Sequence, residues 1–348
     1  MNDEPLRLLA GFESAGRIVL GNGPVFRMVA RCAFDALICL GGIDTMAVPY
    51  RHITQQGAVL GALGRVALAA ASQSFRSLQK TDLTMPGPRF EQIVEARSDA
   101  LVDDFIRWSG GDPKAWQGKV PPTLFPQWAF PLLGQTLTEI PYPLTKVLNG
   151  GCQVWCHEPI PRGQDLHLSA YLSDIDDNGS RVILTQHLTT SSLDGRKLLT
   201  ANVQMVIPAS VKSRPKGQKK TSICVPISAK PISDWRIPPN AGLSFACLTG
   251  DFNPIHWLGP YAKLAGFGRT ILHGFGSLAG TMERIRRIRW AGATDMPAYF
   301  DVRFTRPLKV PAKVTIFLDG DAFFLGQSPG GRAYLQGHLN QPEGVTNV

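Results

Sequence analysis

Apolar and polar residues alternate with a period of two through L-H-L-S-A-Y-L (166–172), R-V-I-L-T-Q-H-L (181–188), V-T-I-F-L (314–318) and A-Y-L-Q-G-H-L (333–339). Successive side chains of an extended chain point to opposite faces, so these runs read as half-buried strands. D-D-N-G (176–179), L-D-G (193–195) and P-G-G (329–331) supply the residues that tight turns require, which predicts antiparallel strands joined by hairpins. Y-F-D-V-R-F-T-R-P-L-K-V-P-A-K-V (299–314) and C-Q-V-W-C-H (152–157) share the strand texture. Residues 273–285 differ. They read as an apolar helix whose small residues Gly274, Gly276, Ala279 and Gly280 let it lie close against a sheet.

The order of these elements occurs twice. F-A-C-L-T-G-D (245–251) leads to the helix 273–285 and then to the strand texture from Tyr299. Earlier, F-I-R-W-S-G-G-D (105–112) leads to F-P-Q-W-A-F-P-L-L-G-Q-T-L (125–137) and then to G-G-C-Q-V-W-C-H-E-P-I-P-R-G-Q-D-L (150–166). A buried helix followed by antiparallel strands, repeated, predicts an α+β chain of two similar units. The expected boundaries are 88–209 for the first unit, a basic linker at 210–222, and 223–348 for the second. Residues 1–87 stand apart as an extension of unknown role, with helical texture over 57–75.

Composition narrows the class. With 348 residues, 44% hydrophobic and 9% aromatic, the chain can bury two cores. The cysteines Cys32, Cys39, Cys152, Cys156, Cys224 and Cys247 form no disulfide framework and read as reduced thiols, and C-Q-V-W-C-H lacks the second ligand pair a metal site would need. The most apolar run, 57–71, carries Arg65 and falls short of the roughly 20 residues a bilayer demands. The opening M-N-D-E-P is acidic where a secretory signal is basic, and the closing T-N-V is no peroxisomal address, so the expectation is cytoplasmic with no membrane span. Net charge is +9, concentrated in Lys212, Arg214, Lys216, Lys219 and Lys220 and in Arg284, Arg286, Arg287 and Arg289. No aromatics interleave these clusters as a base-stacking platform would need, so nucleic acid is not expected as a partner.

The chemistry concentrates in T-G-D-F-N-P-I-H-W-L-G-P-Y-A-K-L-A-G-F-G-R-T-I-L-H-G (249–274). Asp251 stands five residues before His256, with Asn253-Pro254 between them, and proline stiffens that loop. A held carboxylate and a held imidazole grip one water from two sides, one taking a proton while the other gives one. His273-Gly274 opens the helix, where unpaired backbone N–H groups meet a developing oxyanion. The first repeat has Asp112 followed by P-K-A-W-Q and no histidine, so Asp112 reads as a turn or cap and one site is expected per chain.

Gly250, Asp251, Asn253, Pro254, Ile255 and His256, then Ala265-Gly266-Phe267, then Ile271-Leu272-His273-Gly274 closely resemble the signature of the MaoC-like (R)-specific enoyl-CoA hydratases, the hydratase 2 branch, which has the double hot-dog fold. The resemblance covers about residues 88–348 and is strongest over 245–285. It implies addition of water to a trans-2-enoyl-CoA to give the (R)-3-hydroxyacyl-CoA, or the reverse dehydration. His256 is then the base, Asp251 its partner, and the Gly274 N–H the donor to the thioester oxygen. Asn253 and His273 support them, while Lys263, Arg269 and Arg284 meet the acyl-CoA substrate. No cofactor or metal is expected, since coenzyme A is part of the substrate, and a homodimer is left open. By the same resemblance the space of the first repeat accepts the acyl tail. The register puts Met282 and Thr281 where some relatives keep a supporting hydroxyl. Three other readings stay open: dehydration of 3-hydroxyacyl groups on acyl carrier protein, a thioesterase on the same scaffold, and a non-catalytic acyl-CoA-binding protein.

Overall fold

The computed structural model describes residues 47–57, 59, 61, 84–138, 140–143, 147–179, 181–208, 222–290 and 297–340, all within one compact unit. The expected basic linker lies outside the described residues apart from residue 222, as does most of the extension 1–87 with its expected helix.

A ten-stranded antiparallel sheet organises the chain. Its first five strands are β1 (Phe90–Val94), β3 (Leu148–Cys156), β5 (Leu166–Asp177), β6 (Arg181–Ser192) and β7 (Lys197–Pro208), and its other five are β8 (Lys230–Ile237), β10 (Tyr299–Phe304), β12 (Ala312–Asp319), β13 (Ala322–Gly326) and β14 (Leu335–His338). The spatial order β1-β5-β6-β7-β3-β10-β14-β13-β12-β8 reads the same from either edge once each strand is paired with its repeat: β1 with β8, β5 with β12, β6 with β13, β7 with β14, β3 with β10. The halves therefore join edge to edge at β3 and β10, in register from Tyr299 opposite Trp155 to Arg303 opposite Gly151. This is the double hot-dog expected from the sequence. Two short ladders complete it: β2 (Lys119–Val120) on β4 (Ile160–Pro161), and β9 (Ile271–Leu272) on β11 (Leu308–Lys309).

The first half holds α1 (Asp99–Ser109) and α2 (Phe125–Gln135); the second holds α3 (Ala241–Thr249), α4 (Gly259–Leu264) and α5 (Gly274–Arg289). Ser98 caps α1 by accepting from the Leu101 N–H at 3.3 Å, and Gly110, at φ +91°, ends it in the left-handed conformation that glycine adopts without strain. All nine residues of α3 are buried, as suits a helix apolar on every face. The glycines of α5 allow the close approach expected of them: a Cβ at Gly274 would stand 2.6 Å from the Phe304 ring, and Gly280 lies under Trp235. Trp108 of α1 packs on Phe245 of α3 at 4.8 Å between ring centroids and edge-on to Trp235, so one core runs through both halves. Among the described residues, no helix is long and apolar enough to cross a membrane.

The basic cluster on α5 corrects a sequence expectation. Arg284 donates to the carbonyl oxygens of Ser109 and Gly280, both at 2.9 Å, and lies over the Trp235 ring, a desolvated setting that lowers its pKa to about 10. Arg287 donates to the Gly110 carbonyl at 2.9 Å. Arg286 is buried against Glu283 at 2.6 Å and over Trp116, whose Nε1 donates to the same carboxylate at 3.3 Å. These groups clamp α5 to the end of α1 in the other half instead of facing a ligand. Gly111 makes room for them, since any Cβ there would strike the Glu283 carboxylate.

Candidate active site

The site is built where α3 ends and α5 begins. Gly250, at φ +81°, closes α3 by donating its N–H to the Ala246 carbonyl at 2.7 Å and turns the chain out of the helix. Asp251 follows. Its Oδ1 accepts from the Asn253 N–H at 3.4 Å, and Asn253 Oδ1 accepts from the Ile255 N–H at 3.3 Å, which caps the 3-10 turn Pro254–His256. Trp257 Nε1 donates to the Phe252 carbonyl at 3.0 Å, tying the loop across itself. Asn253 thus shapes the loop through its side chain.

His256 is buried, and its Nδ1 meets the Ile271 carbonyl oxygen of β9 at 2.9 Å. A carbonyl only accepts, so Nδ1 carries the proton and Nε2 keeps its lone pair in the neutral ring. Burial pushes the pKa of His256 down, with Asp251 and the Ile271 carbonyl pulling the other way. His273 Nε2 donates to the Asp251 backbone carbonyl at 2.9 Å, and the ring stacks on His256 with centroids 3.5 Å apart and planes 25° from parallel. Burial first, and His256 beside it second, hold the pKa of His273 well below the ordinary histidine range. Both rings are neutral at physiological pH.

One donor atom from each of Asp251, His256 and His273 lies within 4.8 Å of the other two. A metal ion needs lone pairs that converge, in the plane of each ring. Two rings stacked near parallel send their lone pairs alongside each other, so this geometry does not fit an ion.

Gly274 begins α5, and the first-turn N–H groups of Gly274, Phe275 and Gly276 have no acceptor within the helix. Lys263 on α4 and Arg269 beyond it are exposed. Met282 and Thr281 are fully buried on α5, and the Thr281 hydroxyl has no hydrogen-bond partner among the described residues. The structure thus brings Asp251, Asn253, His256, His273 and Gly274 together, sets Lys263 and Arg269 on the surface after the loop, and takes Arg284 away.

One residue gave no signal in the sequence. A Cβ at Gly242 of α3 would overlap the His256 carbonyl oxygen and stand 3.0 Å from the His256 carbonyl carbon, so only glycine lets that loop sit where it does. A glycine in a helix start next to another motif's loop has no distinguishing pattern along the chain.

The first half has the same frame without the chemistry. Leu272 pairs with Leu308 as Val120 pairs with Ile160, and the next two positions are His273-Gly274 in one half and Pro121-Pro122 in the other. The N–H groups of Thr305 and Arg306 share the Tyr334 carbonyl as those of His157 and Glu158 share the Leu198 carbonyl. Proline has no N–H, so Pro122 cannot donate where Gly274 can. Asp112 caps the turn Pro113–Trp116 through the Lys114 N–H at 3.0 Å, as its neighbours suggested. A cavity of about 280 Å³ remains at this position, lined by Trp116, Val120, Pro122, Ile160, Leu198 and Ala298 among others. Aromatics of the first half fill core: Phe125 and Trp128 are buried, and Phe125 and Phe130 pack on Phe275 of α5.

Residues 210–318 match the model of the MaoC like domain. The chain is 28% identical over 186 residues to the peroxisomal multifunctional enzyme type 2 of Mus musculus, covering 49% of this chain and 24% of that protein. It is 28% identical over 167 residues to the peroxisomal enoyl-CoA hydratase 2 of Arabidopsis thaliana, covering 44% of this chain and 53% of that protein. The chain thus spans about half or less of the length of these curated relatives. A solved structure described as a MaoC-like dehydratase superposes with a TM-score of 0.60 at 17% identity, over 75% of this chain and 98% of its own, a likeness of fold.

Proposed function

We propose that the chain is a member of the MaoC-like family, whose domain model matches residues 210–318, and that it hydrates trans-2-enoyl-CoA thioesters to (R)-3-hydroxyacyl-CoA, and runs the reverse dehydration, at Asp251 and His256. One observation carries the reading: a neutral, buried imidazole with its Nδ1 pinned by the Ile271 carbonyl, a loop-held carboxylate with an oxygen within 4.8 Å of a ring nitrogen, and the N-terminus of a sixteen-residue helix that starts one residue after the stacked His273. Two hydrogen bonds of about 2.8 Å meeting at a tetrahedral oxygen span roughly 4.6 Å between their outer atoms. The 4.8 Å limit on the Asp251 and His256 donor atoms suits one water held between them.

In hydration, His256 Nε2 takes a proton from that water as its oxygen bonds to the β-carbon. The C=C electrons move toward the thioester carbonyl, whose oxygen gains charge as an enolate. The Gly274 N–H and the positive end of α5 stabilise that charge. The proton held on His256 then passes by way of Asp251 to the α-carbon as the enolate collapses, which leaves His256 neutral and Asp251 ionised as at the start. The sum is one water added across one double bond. With water on one side of the substrate and the enolate oxygen gripped on the other, addition is to a single face.

The test is incubation of purified protein with crotonyl-CoA and a longer homologue, followed by chiral separation of the product. (R)-3-hydroxyacyl-CoA is the expected result. An (S) product refutes the site assignment, free coenzyme A without hydroxyacyl product indicates a thioesterase, and turnover of the carrier-protein thioester alone identifies the other acyl carrier.

A further inference from the structure

The 3-10 turn Tyr50–Gln56, in the extension that precedes the repeats, lies against the end of α3 from which Asp251 emerges. Gln56 is fully buried. Its Nε2 donates to the carbonyl oxygens of Cys247 at 3.1 Å and Leu248 at 3.2 Å, two carbonyls of the last helical turn that have no donor within the helix. Its Oε1 accepts from Gln127 Nε2 of α2 at 3.1 Å, so one side chain joins both halves. Three residues on, buried Val59 seats against Gly250, where a Cβ would stand 2.6 Å from the valine Cβ. The segment is anchored upstream: His52 is fully buried with Nε2 2.8 Å from Asp104 Oδ2, and Ser98 donates to Gln55 Oε1 at 2.8 Å.

We propose that residues 50–57 with Val59 are a positioning strap for Asp251, and that Gln56 is the positioning residue within it. Gln56 caps α3 from a distance of 191 positions along the chain, Val59 closes on the glycine that follows, and the next residue is the carboxylate itself. The strap rests on the reading of Asp251 and His256 as the reacting pair. It gives the extension a task in the reaction: without it the last turn of α3 has free carbonyls, and the direction in which Gly250 launches Asp251 is no longer fixed. A displacement of about 1 Å at a reacting group costs roughly a hundredfold in rate.

The test uses the full-length chain with Gln56→Leu, which keeps the bulk and removes the hydrogen bonds, and with Gln127→Leu. For Gln56→Leu, kcat with crotonyl-CoA is expected to fall about tenfold or more while KM stays within about twofold, and the acid-side midpoint of kcat against pH to move. Gln127→Leu is expected to act in the same direction and less. A second readout needs no turnover. The His273 Nε2–H donates to the Asp251 carbonyl, so its NMR resonance reports that residue's backbone position and is expected to shift in Gln56→Leu. A lowered melting temperature with kcat, pH midpoint and the His273 resonance all as in the wild type overturns the strap. Should the wild-type chain fail to hydrate enoyl thioesters, the His273 resonance alone decides. Should Gln56→Leu fail to fold, Val59→Ala carries the same test.

Discussion

Replacing Gly242 by alanine tests whether the position of His256 is set by the packing of α3 beneath it. The new methyl would stand 3.0 Å from the His256 carbonyl carbon and closer still to its oxygen. Non-bonded carbon rests about 3.5–4.0 Å from its neighbours, and the oxygen is the tighter of the two contacts, so loop and helix must separate by roughly 1 Å or more. The neighbour on one side is backbone and on the other a helix buried on every face, so neither yields cheaply. Overpacking of this kind costs about 1–3 kcal/mol, and alanine returns up to roughly 1 kcal/mol of helix preference over glycine. The net loss of stability is then about 0–3 kcal/mol. The effect on rate is larger. Moving a reacting group by about 1 Å costs roughly a hundredfold, or about 2.7 kcal/mol of barrier. Steady-state kinetics with crotonyl-CoA, alongside thermal melting, separates the two. Gly242→Ala should melt within a few degrees of the wild type while kcat falls about a hundredfold. A kcat within about threefold of wild type would refute the inference that this contact places His256.

Asp251→Asn and His256→Ala should each lower kcat by about 10²-fold or more with the fold intact by circular dichroism, whereas Asp112→Asn, the turn cap of the first half, should leave kcat unchanged. Because burial holds His256 below the ordinary histidine value of about 6.5, kcat/KM should rise with pH through a midpoint below that value and be level at neutrality; a midpoint above 7 in the pH–rate profile would mean that the Asp251 charge outweighs burial. The sign for stability follows from the same shifts. His256 and His273 bind protons less readily folded than unfolded, so their neutral burial costs nothing above about pH 6.5 and stability is lost as pH falls below it, which denaturant melts at stepped pH will read. Glu283→Leu strands the buried Arg286 charge and should cost about 3–5 kcal/mol in urea unfolding, while Arg284→Met should destabilise without raising KM for a CoA thioester.

The loop of the site was legible because its geometry is local: Asp251, Asn253, Pro254 and His256 lie within six residues, and the helix start at Gly274 follows from glycine chemistry. The alternation of β5, β6, β12 and β14 announced a sheet for the same reason, since a pleat repeats every two residues. What the chain hid depends on contacts across long separations. Gln56 meets Cys247 and Leu248 across 191 and 192 positions, and Gly242 matters only because the His256 loop returns to it. The arginines of α5 read as a basic cluster with Arg284 at the substrate, yet Arg284 and Arg287 find their acceptors at the end of α1, at Ser109 and Gly110. No periodicity along one helix reveals the carbonyl groups of another.

Pro122 bears on how such a chain can change over generations. A dimer of identical subunits alters both copies with every mutation, so a change that disables one pocket disables its twin. Two repeats in one chain are free to differ, and here they differ by more than one residue. Pro122→Gly would restore an N–H, but seven positions separate Asp112 from Lys119 where twenty separate Asp251 from Ile271. The shorter loop has no room for a histidine turn with a helix like α4 behind it, and its Trp116 now holds Glu283, which packs on Gly111 just before the loop. A pocket like that of the second half would require an insertion, a removed proline and a new partner for Glu283 together, and replacing Trp116 alone brings only the loss of its hydrogen bond to Glu283. The asymmetry therefore works as a ratchet.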